Sequence, residues 1–419
     1  MATRLKVLMS AYACEPGKGS EPEVGWQWAL QMARFHDVTV LTRANNRPTI
    51  EPGLGALQGK QPLPQFVYHE RGPLLLRFKR QFHATKSYYV LWQRSARAMV
   101  GRLHQAHHYD LMHHVTFAAF RYPTTIWGHG VPSIWGPVGG IESIPVPLLP
   151  WSQPGSLLHE VIRNAHNFLQ TTSIHVLTRR ARATTLLLAT TREMQQAFAK
   201  LGFEAEVMPT IGLRTAELPR QPHRRTEGPL KLLYVGNIIT LKGLDLALEA
   251  LKASGTDATF TMVGTGNYLE ALKGLTARLG LQQRVSFAGR LARNDVLKIY
   301  PNYDLFVFPS LHDTGGYAVI EAMFNELPVV CLDCGGPAVA VRENCGVKVP
   351  LGPRAKVISD LAVAFRSYNE NRAAVAEQGP AARESVLRYY EWDRKGEQMN
   401  ERYQVAVRRA GTGSALGGP

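Results

Sequence analysis

The segment 305–337 constrains the fold of this chain more than any other part of the sequence. It contains two apolar runs, 305–308 and 329–332, each short enough for a buried strand. A loop with two adjacent glycines and a short helical pattern separate the two runs. A strand, a glycine loop, a helix and a second strand predict a βαβ unit, and therefore an α/β protein with parallel sheets.

Four residues of this segment indicate the kind of ligand that it binds. Gly315 and Gly316 precede the predicted helix, where unpaired N–H groups and the helix dipole favour an anion. Asp313 and Glu321 would repel a bare phosphate, but carboxylates are strong acceptors for hydroxyl groups. A phosphate bound beside vicinal hydroxyls describes a nucleotide sugar. The alternative is that both acids lie on the surface of an ordinary α/β domain.

The same residues resemble the donor-site motif of retaining glycosyltransferases of the GT-B fold, specifically those of family 4. That motif is an acidic residue, seven others and a glutamate, with glycines just after the first acid. Here it runs from Asp313 to Glu321, with Asp where the family more often has Glu. The resemblance implies two Rossmann-like domains that face each other across a cleft, with a C-terminal helix that crosses back to the first domain.

The resemblance also implies roles for individual residues. Glu321 would bind the ribose hydroxyls, Asp313 the sugar hydroxyls, and Lys242, with the N–H groups of the two glycines, the diphosphate. The implied donor-binding residues are Asn237, Lys242, Gly264, Gly266, Arg290, Asp313, Thr314, Gly315, Gly316, Tyr317 and Glu321. The catalytic candidates are Asp313, Glu321, Lys242, His113 and His114, the histidines because the family often has one facing the reacting sugar. We expect no metal and no cofactor, since the nucleoside-diphosphate sugar is itself the donor substrate.

The clearest departure from the family pattern lies in another loop. The loop after residue 235 carries an Arg in the family just after its first glycine, and a Lys five residues on. Lys242 matches the Lys, but Asn237 stands in place of the Arg. Asn cannot reproduce the bidentate grip of Arg on phosphate. Either donor binding is weaker as a result, or another arginine replaces the missing one, with Arg290 as the first candidate.

Two glycine loops in the first half of the chain are similar to family loops that approach the donor phosphates and the acceptor. One contains Gly17 and Gly19, and the other contains Gly139 and Gly140. The first loop lacks the third glycine of a dinucleotide-binding fingerprint, and a tight turn without a ligand is the alternative interpretation.

Length and composition predict two globular domains. A chain of 419 residues exceeds what one core usually serves, and 45% hydrophobic with 19% charged residues excludes a disordered chain. We expect an N-terminal domain over 1–213 with a crossing helix at 395–410, and a C-terminal nucleotide-sugar domain over 230–394. Residues 214–229 are then the linker and 411–419 a tail.

The net charge of +15 predicts anionic partners. From Arg71 to Arg102 basic residues alternate with aromatic residues and leucines, and no acidic residue occurs. This pattern predicts an amphipathic surface for an anionic membrane; the alternative is a solvated basic face whose aromatic residues are core. We expect no nucleic acid, because no recognisable binding module is present. Cys331 and Cys334 form one CxxC pair, without the second pair that a zinc site needs.

These features together predict a cytoplasmic retaining hexosyltransferase, peripheral on the inner face of the cell membrane. It would use a nucleoside-diphosphate sugar and a saccharide or lipid-linked saccharide acceptor, in cell-surface polysaccharide assembly. The alternatives are a GT-B-type nucleotide-sugar epimerase or phosphorylase, or a non-catalytic basic protein that binds membrane or nucleic acid.

Overall fold

The computed structural model describes residues 3–72, 85–150, 174–218 and 228–413, together with 155, 158, 160–162, 164 and 165. The predicted linker 214–229 and tail 411–419 are therefore described only in part. The strands are β1 Lys6–Ser10, β2 Asp37–Arg43, β3 Gln65–His69, β4 Leu111–His114, β5 Ser133–Val138, β6 Leu186–Ala189, β7 Ala205–Val207, β8 Lys231–Val235, β9 Thr259–Val263, β10 Val285–Gly289, β11 Leu305–Phe308, β12 Val329–Leu332 and β13 Gly346–Val349. The helices are α1 Ser20–Ala33, α2 Arg47–Leu57, α3 Thr85–His107, α4 Ile174–Arg182, α5 Arg192–Lys200, α6 Leu244–Ser254, α7 Leu269–Arg278, α8 Arg293–Ile299, α9 Tyr317–Phe324, α10 Gly335–Ala340, α11 Arg354–Glu370, α12 Ala373–Tyr389 and α13 Trp392–Gly413.

The chain divides into two compact units. The first consists of Met1–Ile141, Gln170–Thr210 and Trp392–Pro419, and the second of Glu142–Leu169 and Ile211–Glu391. Each unit is built on one parallel sheet with helices in its crossover connections. This is the Rossmann-like arrangement that the sequence predicted.

The sheet of the first unit has the strand order β3-β2-β1-β4-β5-β6-β7. Every residue of β4 and β6 is buried, as expected for parallel strands whose two faces are both covered by helices. The strand order reverses between β1 and β4, which pair in parallel from Val7 opposite Leu111 to Ser10 opposite His114.

The sheet of the second unit has the strand order β10-β9-β8-β11-β12-β13. The predicted βαβ unit is confirmed, since β11, α9 and β12 follow one another and β11 pairs in parallel with β12. All four residues of β11 and of β12 are buried. The order of this sheet reverses between β8 and β11.

The C-terminal helix α13 belongs to the first unit and packs against α1. Trp392 meets Trp28 of α1 edge to face, with ring centroids 5.1 Å apart. The fully buried Lys395 donates a hydrogen bond of 2.6 Å to the carbonyl oxygen of Pro209. Burial, and to a smaller extent the charge of Arg402, lowers the pKa of Lys395 to about 7.

The aromatic residues in the described part of the basic stretch are core residues, so the expected exposed aromatic surface is wrong for these residues. Tyr88, Tyr89 and Trp92 of α3 are buried in a cluster with Leu8 and Tyr12. The physical reason is that α3 turns this face onto the sheet and leaves its basic residues in solvent. Those exposed residues are Arg94, Arg97 and Arg102. Residues 73–84 of the stretch lie outside the described residues.

None of the helices in the described ranges is long and apolar enough to span a bilayer.

Candidate functional site

The candidate site lies where the strand order of the second sheet reverses. In open parallel sheets, ligands bind beyond the carboxyl ends of the strands at such a switch point, because the two adjacent connections leave in opposite directions. Lys242 lies in the loop that follows β8, and Asp313 in the loop that follows β11. The two residues that the sequence assigned to one site thus come from the two strands on either side of the switch point.

Backbone contacts hold the two loops together. The N–H of Leu311 donates to the carbonyl oxygen of Leu241 over 2.9 Å. Gly243 has φ of +60°, and a Cβ there would lie 2.2 Å from the carbonyl oxygen of Pro309. Only glycine permits this approach, which places Lys242 beside the loop that carries Asp313.

The Asp313 carboxylate connects Lys242 to the start of helix α9. Its Oδ2 lies 2.6 Å from Nζ of Lys242, and its Oδ1 accepts the N–H groups of Gly315 over 3.0 Å and Gly316 over 2.7 Å. Burial alone would raise the pKa of Asp313, but the Lys242 charge and these hydrogen bonds lower it below its usual value. Asp313 is therefore ionised, and its carboxylate accepts hydrogen bonds from the same groups that were predicted to bind a diphosphate.

Glu321 lies in α9 and is also held by a cation. Its Oε1 accepts a 2.9 Å hydrogen bond from Nη2 of Arg293, at the start of α8. Burial raises the pKa of Glu321, and the nearby side chains of Arg293 and Tyr300 oppose that rise. Sequence reasoning missed both Arg293 and Tyr300, because no motif position singles them out. Arg290 lies exposed just after β10, and its predicted contact with phosphate stays a prediction.

Three further predicted donor residues lie in the loops after β8 and β9. Asn237 is exposed, and its carbonyl oxygen accepts a 2.8 Å hydrogen bond from the hydroxyl of Tyr234. A Cβ on Gly264 would lie 1.8 Å from the carbonyl oxygen of Gly236. A Cβ on Gly266 would lie 2.0 Å from the carbonyl oxygen of Ile238, in the loop after β8. Both glycines are thus required for the two loops to pack together.

Thr314 and Tyr317 flank the two glycines at the start of α9 and are half-buried. The loop is fixed from behind, since the N–H of Gly336 donates to the carbonyl oxygen of Asp313 over 2.8 Å. The backbone of the motif therefore rests on the chain that follows β12.

His113 and His114 lie in β4 of the first unit and are buried. The ring of His113 bonds the hydroxyl of Tyr403 and the carbonyl oxygen of Gly136, each at 2.8 Å. The ring of His114 bonds Oγ of Ser10 and the hydroxyl of Tyr89, each at 3.1 Å. Burial lowers the pKa of His113 to about 4 and that of His114 to about 3. These contacts favour packing, and a catalytic part for either histidine stays a prediction.

The four loop glycines also belong to the first unit. The N–H of Gly17 donates to Glu23 over 2.7 Å, and Gly19, with φ of +64°, has open space where a Cβ would stand. Gly139 is buried after β5 beside Thr190, and the carbonyl oxygen of Gly140 accepts a 2.6 Å hydrogen bond from Arg121. Their contact with an acceptor or a phosphate stays a prediction.

The described residues contain no group of three or more His, Cys, Asp or Glu side chains placed to hold a metal ion. Cys331 is buried and Cys334 half-buried, and both are in the thiol form.

Comparison with known proteins finds similarity to glycosyltransferases over part of the chain. Residues 216–381 match the family model described as glycosyl transferases group 1. The chain is 28% identical over 200 residues to a glycogen synthase of Mycobacterium tuberculosis, an alignment that covers 47% of this chain and 48% of that protein. The chain thus spans about half the length of this curated relative. The candidate site lies within the matched residues.

Two solved structures share the fold over nearly the whole chain. The sucrose-phosphate synthase of Thermosynechococcus elongatus aligns with a TM-score of 0.63 and 16% identity, over 96% of this chain and 98% of that one. Anabaena HepE in complex with UDP and glucose aligns with a TM-score of 0.60 and 18% identity, over 96% and 100%. The chain has the same α/β GT-B fold.

Proposed function

We propose that this chain is a retaining glycosyltransferase of the family 4 type. It transfers a hexosyl unit from a nucleoside-diphosphate sugar to a saccharide or lipid-linked saccharide acceptor, in the assembly of cell-surface polysaccharide. The observation that carries the proposal is the contact between Lys242 and Asp313 at the switch point of the second sheet, inside the residues that match the family model.

The proposed donor site uses the groups that this contact assembles. Lys242 and the N–H groups of Gly315 and Gly316 bind the diphosphate, after the Asp313 carboxylate turns from them towards the sugar hydroxyls. Glu321 binds the ribose hydroxyls. Charge that develops on the leaving phosphate then meets donors that are already in place, which is an effective way to lower a barrier.

Retention follows from attack on the face that the leaving group departs from. The bond from the anomeric carbon to the diphosphate breaks as the bond to the acceptor oxygen forms, and the acceptor proton leaves with the diphosphate. No side chain of the proposed site is required as a nucleophile, in contrast to the double displacement of retaining hydrolases.

The exposed arginines of α3 support a place for the enzyme at the cytoplasmic face of the membrane. Arg94, Arg97 and Arg102 present positive charge to solvent, and anionic lipid attracts such a surface by about 1 kcal/mol per residue. A lipid-linked acceptor would lie at that surface. Sedimentation with vesicles of anionic and of neutral lipid tests this part: binding to neither vesicle would contradict it.

Ligand-dependent stability tests the donor. Because HepE was solved with UDP and glucose, UDP-glucose is the first donor to test, followed by GDP- and ADP-sugars. A donor at a hundred times its Kd should stabilise the protein by roughly 2.7 kcal/mol and raise its melting temperature. With the donor that binds, the anomeric configuration of the product distinguishes retention from inversion by NMR. Absence of a shift with every nucleotide sugar would contradict the proposal.

A further inference from the structure

The positively charged side chain that pairs with Glu321 belongs to a residue outside the motif. Arg293 begins α8, 28 positions before Glu321 in the sequence, and its Nη2 lies 2.9 Å from Oε1 of Glu321. The two side chains differ sharply in exposure: that of Arg293 is 64% exposed, and that of Glu321 only 11%. An arginine at the surface thus reaches inward to a carboxylate that is almost enclosed.

The remaining contacts of Glu321 fix its position. The side chain of the fully buried Tyr300, which follows α8, lies close enough to the carboxyl group to influence its pKa. The carbonyl oxygen of Glu321 accepts a 2.8 Å hydrogen bond from Nδ2 of Asn325, so the backbone is held as well. Arg293, which bonds the carboxylate, and Tyr300, which lies beside it, therefore come from the same segment of chain.

A buried carboxylate is costly unless it is paired, and losing one partner of such a pair leaves an uncompensated charge. Without Arg293, Glu321 would take up a proton or turn towards solvent. Either change alters how it receives hydroxyl groups, because an ionised carboxylate only accepts hydrogen bonds whereas a protonated one also donates.

We infer that Arg293 is a positioning residue that holds the Glu321 carboxylate in place for the ribose hydroxyls of the donor. The inference rests on the proposed function and assigns a part in the same site to a residue outside the motif. Arg293 acts through Glu321, so its effect on binding depends on whether the nucleotide carries the hydroxyls that Glu321 accepts.

The contact differs from an ordinary surface ion pair, which contributes little. Lys298, also in α8, forms such a pair with Asp295, and both side chains are exposed at 63% and 57%. Lys298→Ala is therefore a matched control, since it removes a cation of similar exposure from the same helix.

The experiment compares nucleotides with and without the ribose hydroxyls. Calorimetric titration of UDP, GDP and ADP identifies the diphosphate that binds the wild-type full chain, which is then titrated beside its 2′-deoxy and 3′-deoxy counterparts. The proteins are the wild type, Arg293→Ala, Arg293→Lys and Lys298→Ala. Circular dichroism and melting confirm that each variant is folded.

In the wild type, we expect at least one deoxy nucleotide to bind about tenfold more weakly than its ribose parent, the size of one charged hydrogen bond. Arg293→Ala should weaken binding of the ribose nucleotide by a similar factor and leave binding of that deoxy nucleotide almost unchanged. The difference in affinity between the two nucleotides should then disappear. Arg293→Lys should restore part of it, and Lys298→Ala should behave as the wild type.

Two results separate the failure of this inference from failure of the proposed function. If the wild type binds a nucleotide and Arg293→Ala weakens ribose and deoxy forms equally, or neither form, Arg293 does not act through Glu321 and the inference is overturned alone. If the wild type binds none of the three diphosphates, the proposed donor site is wrong and the inference is wrong with it.

Discussion

Nζ of Lys242 lies 2.6 Å from Oδ2 of Asp313, although the two residues are 71 positions apart in the sequence. The other carboxylate oxygen of Asp313 accepts two N–H groups at the start of α9. The groups that would donate hydrogen bonds to a ligand phosphate therefore already bind an anion that belongs to the protein. A ligand phosphate has to replace that carboxylate, so ligand binding is coupled to the rotation of one side chain.

Removal of either charged side chain that is proposed to contact the nucleotide sugar should slow sugar transfer. Lys242→Ala and Glu321→Ala should each lower kcat/KM at least about tenfold, because a charged hydrogen bond contributes about 1.5 kcal/mol or more. Initial rates with the identified nucleotide sugar provide the measurement. Lys273→Ala is the control, since Lys273 forms an exposed pair with Glu270 in the same unit. Normal rates in both site variants would contradict the proposed donor site.

Asp313 should stabilise the second unit in a pH-dependent way. Its pKa is lowered in the folded state, so its ionised form contributes stability above the unfolded value of about 3.8. Asp313→Asn should therefore lower the free energy of unfolding by about 1–3 kcal/mol at pH 7. The difference from the wild type should shrink as the pH falls below about 4 in urea unfolding. Asp295→Asn, at an exposed pair, should change stability little; a pH-independent effect at Asp313 would contradict this account.

The buried histidines of β4 should make the protein less stable in mild acid. The pKa of His114 is lowered from 6.5 to about 3, so below pH 6.5 the unfolded chain binds a proton that the folded chain does not. His114 by itself should lower the stability by up to about 1.4 kcal/mol per pH unit between pH 6.5 and 4, and His113 should add to this slope. His114→Gln should reduce that slope in urea unfolding, whereas His107→Gln, at an exposed position, should preserve it. Equal slopes in all three proteins would exclude His114 as the cause.

Gly264 should tolerate no side chain. A Cβ there would lie 1.8 Å from the carbonyl oxygen of Gly236, and its φ is +143°. Gly264→Ala should destabilise the protein by roughly 3 kcal/mol and weaken nucleotide binding, because the loops after β8 and β9 must separate. Gly255→Ala is the comparison: its φ is +68° but no atom lies within 4 Å of the added Cβ, so only the backbone penalty of about 1–2 kcal/mol applies. Similar melting temperatures for the two variants would show that the loops yield easily.

Lys395 should make stability rise with pH on the alkaline side. Its pKa falls from 10.5 to about 7 on folding, so between these values the unfolded chain binds the additional proton. The free energy of unfolding should increase by up to about 1.4 kcal/mol per pH unit over that interval. Lys395→Met should remove this rise, and Lys200→Met, at an exposed position of α5, should leave it unchanged. A rise that persists in Lys395→Met would have to come from another group.

Several features of the site could be predicted from the sequence because they are local. The βαβ unit of 305–332 follows from two short apolar runs around a glycine loop. The glycines that the closely packed loops require can be identified in the sequence itself. Lys242, Asp313 and Glu321 can also be identified there, because they lie at motif spacings. Strand and helix periodicities and turn chemistry act within a few residues, so a single chain displays them.

The tertiary structure decided which distant groups meet. It placed Tyr88, Tyr89 and Trp92 in the core, where the sequence pattern had equally allowed a membrane-facing surface. It also brought Arg293 to Glu321, although neither spacing nor motif connects the two positions. The physical reason is that the identity of a contact depends on how helices pack on the sheet and on which residues the strand order brings to one edge. Local sequence patterns determine where the strands, helices and turns form. The contacts between distant side chains depend on how those strands and helices pack together.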